Sequence, residues 1–116
     1  MHLLGIEKSQ AHLLVDLIDY VPHSVVTRTI VQKITGNIVA IAIDSGESLE
    51  EKISPFDTYI QIIEGESEIV IDNSSAILAT GQAILVPAHA ANLIRANNPS
   101  KILVIVIKSG YEGIIT

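Results

Sequence analysis

Residues 46–65 read Gly-Glu-Ser-Leu-Glu-Glu-Lys-Ile-Ser-Pro-Phe-Asp-Thr-Tyr-Ile-Gln-Ile-Ile-Glu-Gly. One glycine opens the stretch and another closes it. A polar run containing Pro55 leads into an apolar segment, Thr58 to Ile63, whose β-branched residues predict a strand. The chain then passes through Gly65 into a second predicted strand, Ser67 to Asp72. Two such runs around a glycine predict a β-hairpin at the heart of an all-β domain.

The same punctuation continues on both sides. Downstream, Asp72-Asn73-Ser74-Ser75 is a polar turn, with Asn suited to positive φ. Ala76 to Ala79 is a short strand stopped at Thr80-Gly81, and Ala83 to Val86 is another stopped at Pro87. Asn92 to Ala96 follows, then the turn Asn97-Asn98-Pro99-Ser100, then the most apolar strand, Lys101 to Lys108. Upstream, Val25 to Gln32 and Ile38 to Ile43 are strands separated by a turn at Gly36-Asn37, and Asp44-Ser45-Gly46 turns the chain again. Residues 9–18 predict a short helical turn or strand, with Ser9 as helix N-cap. Pro22 pushes Val21 out of the helical region and makes 21–24 a turn. This divides the chain into an N-terminal extension (1–24), a β-domain (25–108) and a C-terminal tail (109–116), loose or packed on a neighbour. Eight or so short strands with turns between them predict a sandwich or barrel.

Ile38 to Ile43 and Ile102 to Ile107 are apolar at consecutive positions, so both faces of each strand are expected to be covered. In a small barrel the inner face lines the lumen. The outer face needs a second layer, most simply a second subunit. The mean hydropathy is positive, which points the same way, and a homodimer is the expected assembly.

Composition bounds the function. The 116 residues suit one domain. Phe56, Tyr20, Tyr59 and Tyr111 are the only aromatics, so Ile and Val must build the core. The absence of cysteine removes disulfides, thiolate nucleophiles and Cys-ligated metals. The net charge of −6 and the scatter of the seven Lys and Arg residues argue against nucleic acid. Leu3 to Ile6 does not form a secretory leader. The run Ile102 to Ile107 is too short to cross a bilayer as a helix. A cytoplasmic protein with no membrane partner is expected.

The glycine-bounded blocks resemble the two sequence motifs of the cupins, small jelly-roll barrels (double-stranded β-helices). Gly46 and Gly65 stand at the first motif's spacing, and Gly81 and Pro87 at the second's. The resemblance spans roughly residues 25–108 and is nearest to small single-domain cupins with a Pro-Ala turn, here Pro87-Ala88. It implies the jelly-roll fold. It does not bring the family's metal with it. Lys52 and Ser54 stand at the first motif's two histidines, Thr58 at its glutamate and Asn92 at the third histidine, while His89 replaces an inner glycine. A charged ammonium has no lone pair for a metal, and Ser, Thr and Asn are weak neutral ligands. No metal and no other cofactor is expected.

In the family register Lys52, Ser54, Thr58 and Asn92 face the lumen beside Ile60, Ile62 and Ile94, with no acidic residue among them. Such a cup suits a small anionic or carbonyl-containing ligand. The bland reading has Lys52 reaching into water and the other three as satisfied interior groups. His89, at the mouth, is a candidate general base; as a turn residue it is more often simply exposed. Asp57 is a structural partner for Lys52, and Tyr59, facing away from Thr58, is a packing or interface residue. His2, His12 and His23 share no metal-binding spacing. Three functions compete: a metal-free small-molecule-binding module, a cofactor-independent isomerase, epimerase or lyase using Lys52 and His89 on a sugar or carbonyl compound, and a structural dimerisation module.

Overall fold

The computed structural model describes residues 2–108; the tail from 109 onward lies outside the described residues. The chain forms strands β1 (His2–Leu4), β2 (Val25–Lys33), β3 (Gly36–Ile43), β4 (Ser48–Glu51) and β5 (Thr58–Glu64). Then follow β6 (Glu66–Ile71), β7 (Ser74–Ala79), β8 (Ala83–Val86), β9 (Asn92–Ala96) and β10 (Ser100–Ile107). They form two sheets, a six-stranded one ordered β1-β2-β3-β10-β5-β8 and a four-stranded one ordered β4-β9-β6-β7. All pairings are antiparallel except β1 with β2. The two sheets face each other around an aliphatic core, as in a jelly roll.

The central hairpin is corrected by this topology. β5 pairs with β10 and β8, whereas β6 pairs with β7 and β9. Gly65 is therefore a corner between sheets, not a hairpin turn. It adopts φ +95°, and a Cβ there would lie 2.3 Å from the Pro99 carbonyl oxygen. Only glycine lets the two corner segments approach this closely. The hairpin is formed one strand later, by β6 and β7 around Asp72-Asn73, where Asp72 rather than Asn73 takes positive φ.

Three other expectations change. The β2–β3 turn falls at Ile34-Thr35, and Gly36 and Asn37 already belong to β3. Gly36 is needed there because a Cβ would sit 2.5 Å from the Val106 carbonyl oxygen. Ser9 caps no helix: its φ is +61°, and the single 3-10 turn, Leu14–Asp16, starts after an extended Leu13. Strand β4 was not foreseen, because four residues with a Glu-Glu pair carry little strand propensity.

Alternation sorts the core. Ile41, Ile43, Ile60, Ile62, Ile69, Ile94 and Ile102 are essentially fully buried between the sheets. On the outer side of β3, Ala40 and Ala42 are equally buried, packed with Ile18 and Val26 against Tyr20 and Val21. The outer layer over this part of the sheet therefore comes from the chain's own N-terminal segment. Polar anchors hold it there. Arg28 donates from Nη1 to the Leu17 carbonyl at 2.8 Å, and from Nε and Nη2 to that of Gly5 at 3.1 and 3.0 Å. Buried Lys101 donates to the Val15 carbonyl and lies 5.1 Å from the centre of the Tyr20 ring. Tyr20 Oη donates to Glu64 at 2.6 Å. Burial, and then the Glu64 carboxylate, push the Tyr20 phenol well above its ordinary range.

Candidate functional site at the open end of the barrel

The two ends of the barrel differ. At one end the β3–β4, β5–β6 and β9–β10 links lace together. Gly46 N donates to Ala96 O at 2.9 Å, Ala96 N to Glu47 O at 3.0 Å, and Ser100 Oγ to Glu66 O at 3.0 Å. This end is closed. The other end is ringed by the turns at 34–35 and 72–73 and the loops 52–57 and 87–91.

Backbone pairing brings those loops together. His89 N donates to Ser54 O at 2.7 Å, and Ala88 N donates to Asp57 Oδ1 at 2.9 Å. Asp72 joins the ring as well: its Oδ1 accepts from Ala91 N at 3.1 Å, and its N donates to Ala91 O at 2.9 Å. Asp57 thus serves the Pro87-Ala88 turn and makes no ion pair with Lys52; among the described residues the ion pair is Arg95 with Glu68 at 3.0 Å.

The expected site residues separate into groups. Thr58 is 8 % exposed on the inner face of β5, between Val86 and Val106 in register. Asn92 is 7 % exposed at the start of β9, between Glu51 and Ile71. Ser54 is half-buried, and its Oγ accepts from Phe56 N at 3.1 Å. His89 is exposed, at φ +69°. Lys52 lies just beyond β4 and is exposed. It is a rim residue, not a cation within the lumen.

One residue that sequence reading overlooked joins them. Leu49 packs on the inner core, so two residues on, Glu51 also faces inward. Glu51 is directly opposite Asn92 in the β4–β9 ladder, a position that holds the two Cβ atoms about 5 Å apart. Burial raises its carboxyl above the ordinary value of 4.5. The lumen register is thus not free of acid. The signal that could have found Glu51 is its period-two relation to Leu49, masked by the adjacent Glu50.

The Asn92 carboxamide is the unusual feature here. Its Oδ1 is buried and has no hydrogen-bond partner in the protein. Around it lies a groove of about 400 Å3, bounded by Glu50, Glu51, Lys52, Asp72, Asn92 and Leu93. Ser54, Thr58 and His89 do not line that groove.

No family model and no curated protein matches the sequence. Solved structures do. A conserved protein of unknown function from Streptococcus pyogenes is 27 % identical, with a TM-score of 0.85 over 94 % of this chain and 96 % of that one. A cupin superfamily protein from Desulfitobacterium hafniense DCB-2 is 25 % identical, with a TM-score of 0.84 over 92 % and 98 %. The chain has the cupin fold, and its structural neighbours include cupin superfamily proteins. An RmlC-like cupin from Desulfovibrio desulfuricans shares the fold at 20 % identity, with a TM-score of 0.75 over 85 % of this chain and 96 % of that one.

The metal of metal-binding cupins does not fit this chain's residues. Lys52 is exposed and Ser54 Oγ is occupied by a backbone amide, which leaves Thr58 and Asn92 as neutral oxygen donors on facing sheets. Among the described residues, no three His, Cys, Asp or Glu side chains come together as a metal site. Glu51 alone adds one carboxyl, short of the several anionic or imidazole ligands a first-row metal needs.

Proposed function

We propose that this cupin is a metal-free binding module for a small molecule that presents O–H or N–H donors to the open end of its barrel. The observation that carries the reading is the buried, unpartnered Asn92 Oδ1 beside the Glu51 carboxyl. A buried carbonyl oxygen without a donor costs on the order of 1–3 kcal/mol. A ligand hydroxyl or amine would recover it. Glu51 reinforces the choice: in its protonated form it both donates and accepts, and as a carboxylate it favours a cationic amine.

An anionic or carbonyl ligand was the expectation while Lys52 stood as the lone lumen charge. With Glu50, Glu51 and Asp72 bordering the same groove, the local charge is acidic and favours donors over carboxylates. Acid–base catalysis by Lys52 and His89 has no shared groove to support it, since His89 does not line the one that holds Lys52. Glu51 remains as a single titratable group on the inner face, and proton transfer in two directions requires a second.

A fragment library divided into polyols, amines, carboxylates and keto compounds, screened by amide NMR shifts on the untagged protein, tests this. Hits are expected among polyols and amines, with the largest shifts at Glu51, Asp72 and Asn92. Asn92→Leu, similar in size and lacking the acceptor, should weaken the best hit by about tenfold or more. Hits confined to carboxylates, or an unchanged affinity in Asn92→Leu, would overturn the reading. Elemental analysis of the same sample should give far less than one transition-metal equivalent per chain.

A further inference from the structure

The groove beside Asn92 has a lining of three chemical kinds. The first is a buried acceptor flanked by acid. In the ladders Asn92 is opposite Glu51 on one side and Ile71 on the other, and Asp72 follows Ile71. Its buried, unpartnered Oδ1 therefore has an acidic residue to either side. Asp72 is fixed in place, since its Oδ1 accepts from Ala91 N at 3.1 Å. The second kind is basic. Lys52 is the one cation that lines the groove, and it is exposed. It does not pair with the carboxylates around it, Glu50 included; among the described residues the ion pair is elsewhere, between Arg95 and Glu68. The third kind is apolar. Leu93 and Val70 line the groove, are opposite each other in register on the outer face of the four-stranded sheet, and are both half-buried.

We propose, resting on the reading that Asn92 and Glu51 receive a donor-bearing ligand, that this ligand is a small amino acid with an aliphatic side chain, bound as the zwitterion. Its ammonium donates to Asn92 Oδ1, and two N–H groups remain for Glu51 and Asp72. Its carboxylate faces Lys52, and its side chain covers Val70 and Leu93. Simpler ligands match the groove less well. An amine without a carboxylate leaves Lys52 unmatched. A carboxylic acid without an amine sets its charge against Glu50, Glu51 and Asp72 and leaves Asn92 without a donor. A polyol leaves the apolar surface uncovered. A groove with both signs of charge is complementary to a ligand with both. The size also agrees. At about 400 Å3 the groove is at the small end of small-molecule sites, which run from about 300 to 1,000 Å3, and suits a single amino acid rather than a chain of them.

The test titrates the untagged protein with leucine and two truncated forms of it, isopentylamine (no carboxylate) and isocaproate (no amine). Calorimetry should rank leucine above isopentylamine by about fivefold, the upper range for a charge pair at an exposed rim, with isocaproate undetected. Glycine, which lacks the side chain, should bind about tenfold more weakly than leucine. Lys52→Met should bring leucine level with isopentylamine, and Lys52→Glu should place it below. Because Lys52 is exposed just beyond β4, both variants should fold as the wild type does. Leucine that binds no better than isopentylamine overturns the proposal while the donor-binding reading stands. A preference for leucine that survives both Lys52 variants overturns it too, as does the failure of leucine and isopentylamine alike to bind. The donor-binding reading falls on a different result, an affinity for isopentylamine that Asn92→Leu leaves unchanged.

Discussion

Two side-chain oxygens among the described residues are buried with no partner, Ser67 Oγ and Asn92 Oδ1. Both face the space between the sheets, at opposite ends of it. Ser67 is fully buried at the closed end, between Ala96 and Leu78 of the aliphatic core. Asn92 is at the open end, between Glu51 and Ile71, where the rim groove begins. The same liability thus has two different meanings. A lone hydroxyl inside a filled core has no room for a ligand, and its removal should only help. A lone acceptor beside a carboxyl and a groove has both room and a companion group. On the proposed reading, what separates the structural Ser67 from the ligand-facing Asn92 is the neighbouring space, not the orphaned atom.

The largest expected effect tests whether the core between the two ends is filled. Ile94→Ala deletes a fully buried side chain from the core cluster and should cost about 2–5 kcal/mol in urea unfolding. A much smaller loss would mean that the interior is loose and that the two ends are alike. Next comes Ser67→Ala, which removes an unsatisfied hydroxyl and should raise stability by about 1 kcal/mol without altering any ligand affinity. If it destabilises instead, Ser67 has a partner in solution, and the contrast with Asn92 weakens.

The smallest effect concerns pH. The Glu51 carboxyl is raised in the folded protein by burial, so its contribution to stability is fully present below the unfolded value of 4.5 and is lost as pH rises through the folded value. Relative to Glu51→Gln, the wild type should therefore be most stable at low pH and lose that advantage as pH rises past this window. Paired thermal melts of the two proteins across pH 4 to 7 follow this difference. An advantage that grows with pH would place a hidden cation beside Glu51. A donor-bearing amine ligand should flatten the slope, since it favours the carboxylate.

The fold was legible because glycine and proline spacing records backbone geometry. Gly46, Gly65, Gly81 and Pro87 mark corners and turns of the jelly roll whatever the side chains between them do. Local reading failed where the partner of a segment is far away in sequence. Gly65 looked like a hairpin turn because nothing nearby shows that Pro99 and Ser100 pack against it. The doubly apolar β3 correctly implied a second outer layer. It could not say that Ile18, Tyr20 and Val21 of the same chain supply that layer over Ala40 and Ala42. For the site, the motif register led to Thr58 and Asn92, both buried on inner faces. It put Lys52 inside the lumen, whereas Lys52 is exposed at the edge of the Asn92 groove, because the strand ends at Glu51 and the alternation that would aim Lys52 inward ends with it. Glu51 was hidden for the converse reason: in a Glu-Glu-Lys run the period-two relation to Leu49 is easily lost, and the pairing with Asn92 makes plain which residue turns inward.

The most direct measurement is a high-resolution crystal structure of the protein soaked with the best polyol or amine from the screen. The account predicts a ligand O–H or N–H about 2.7–3.2 Å from Asn92 Oδ1, with Glu51 on the same molecule. An Asn92 Oδ1 held by a protein group, or by a water that the ligand does not displace, would contradict it.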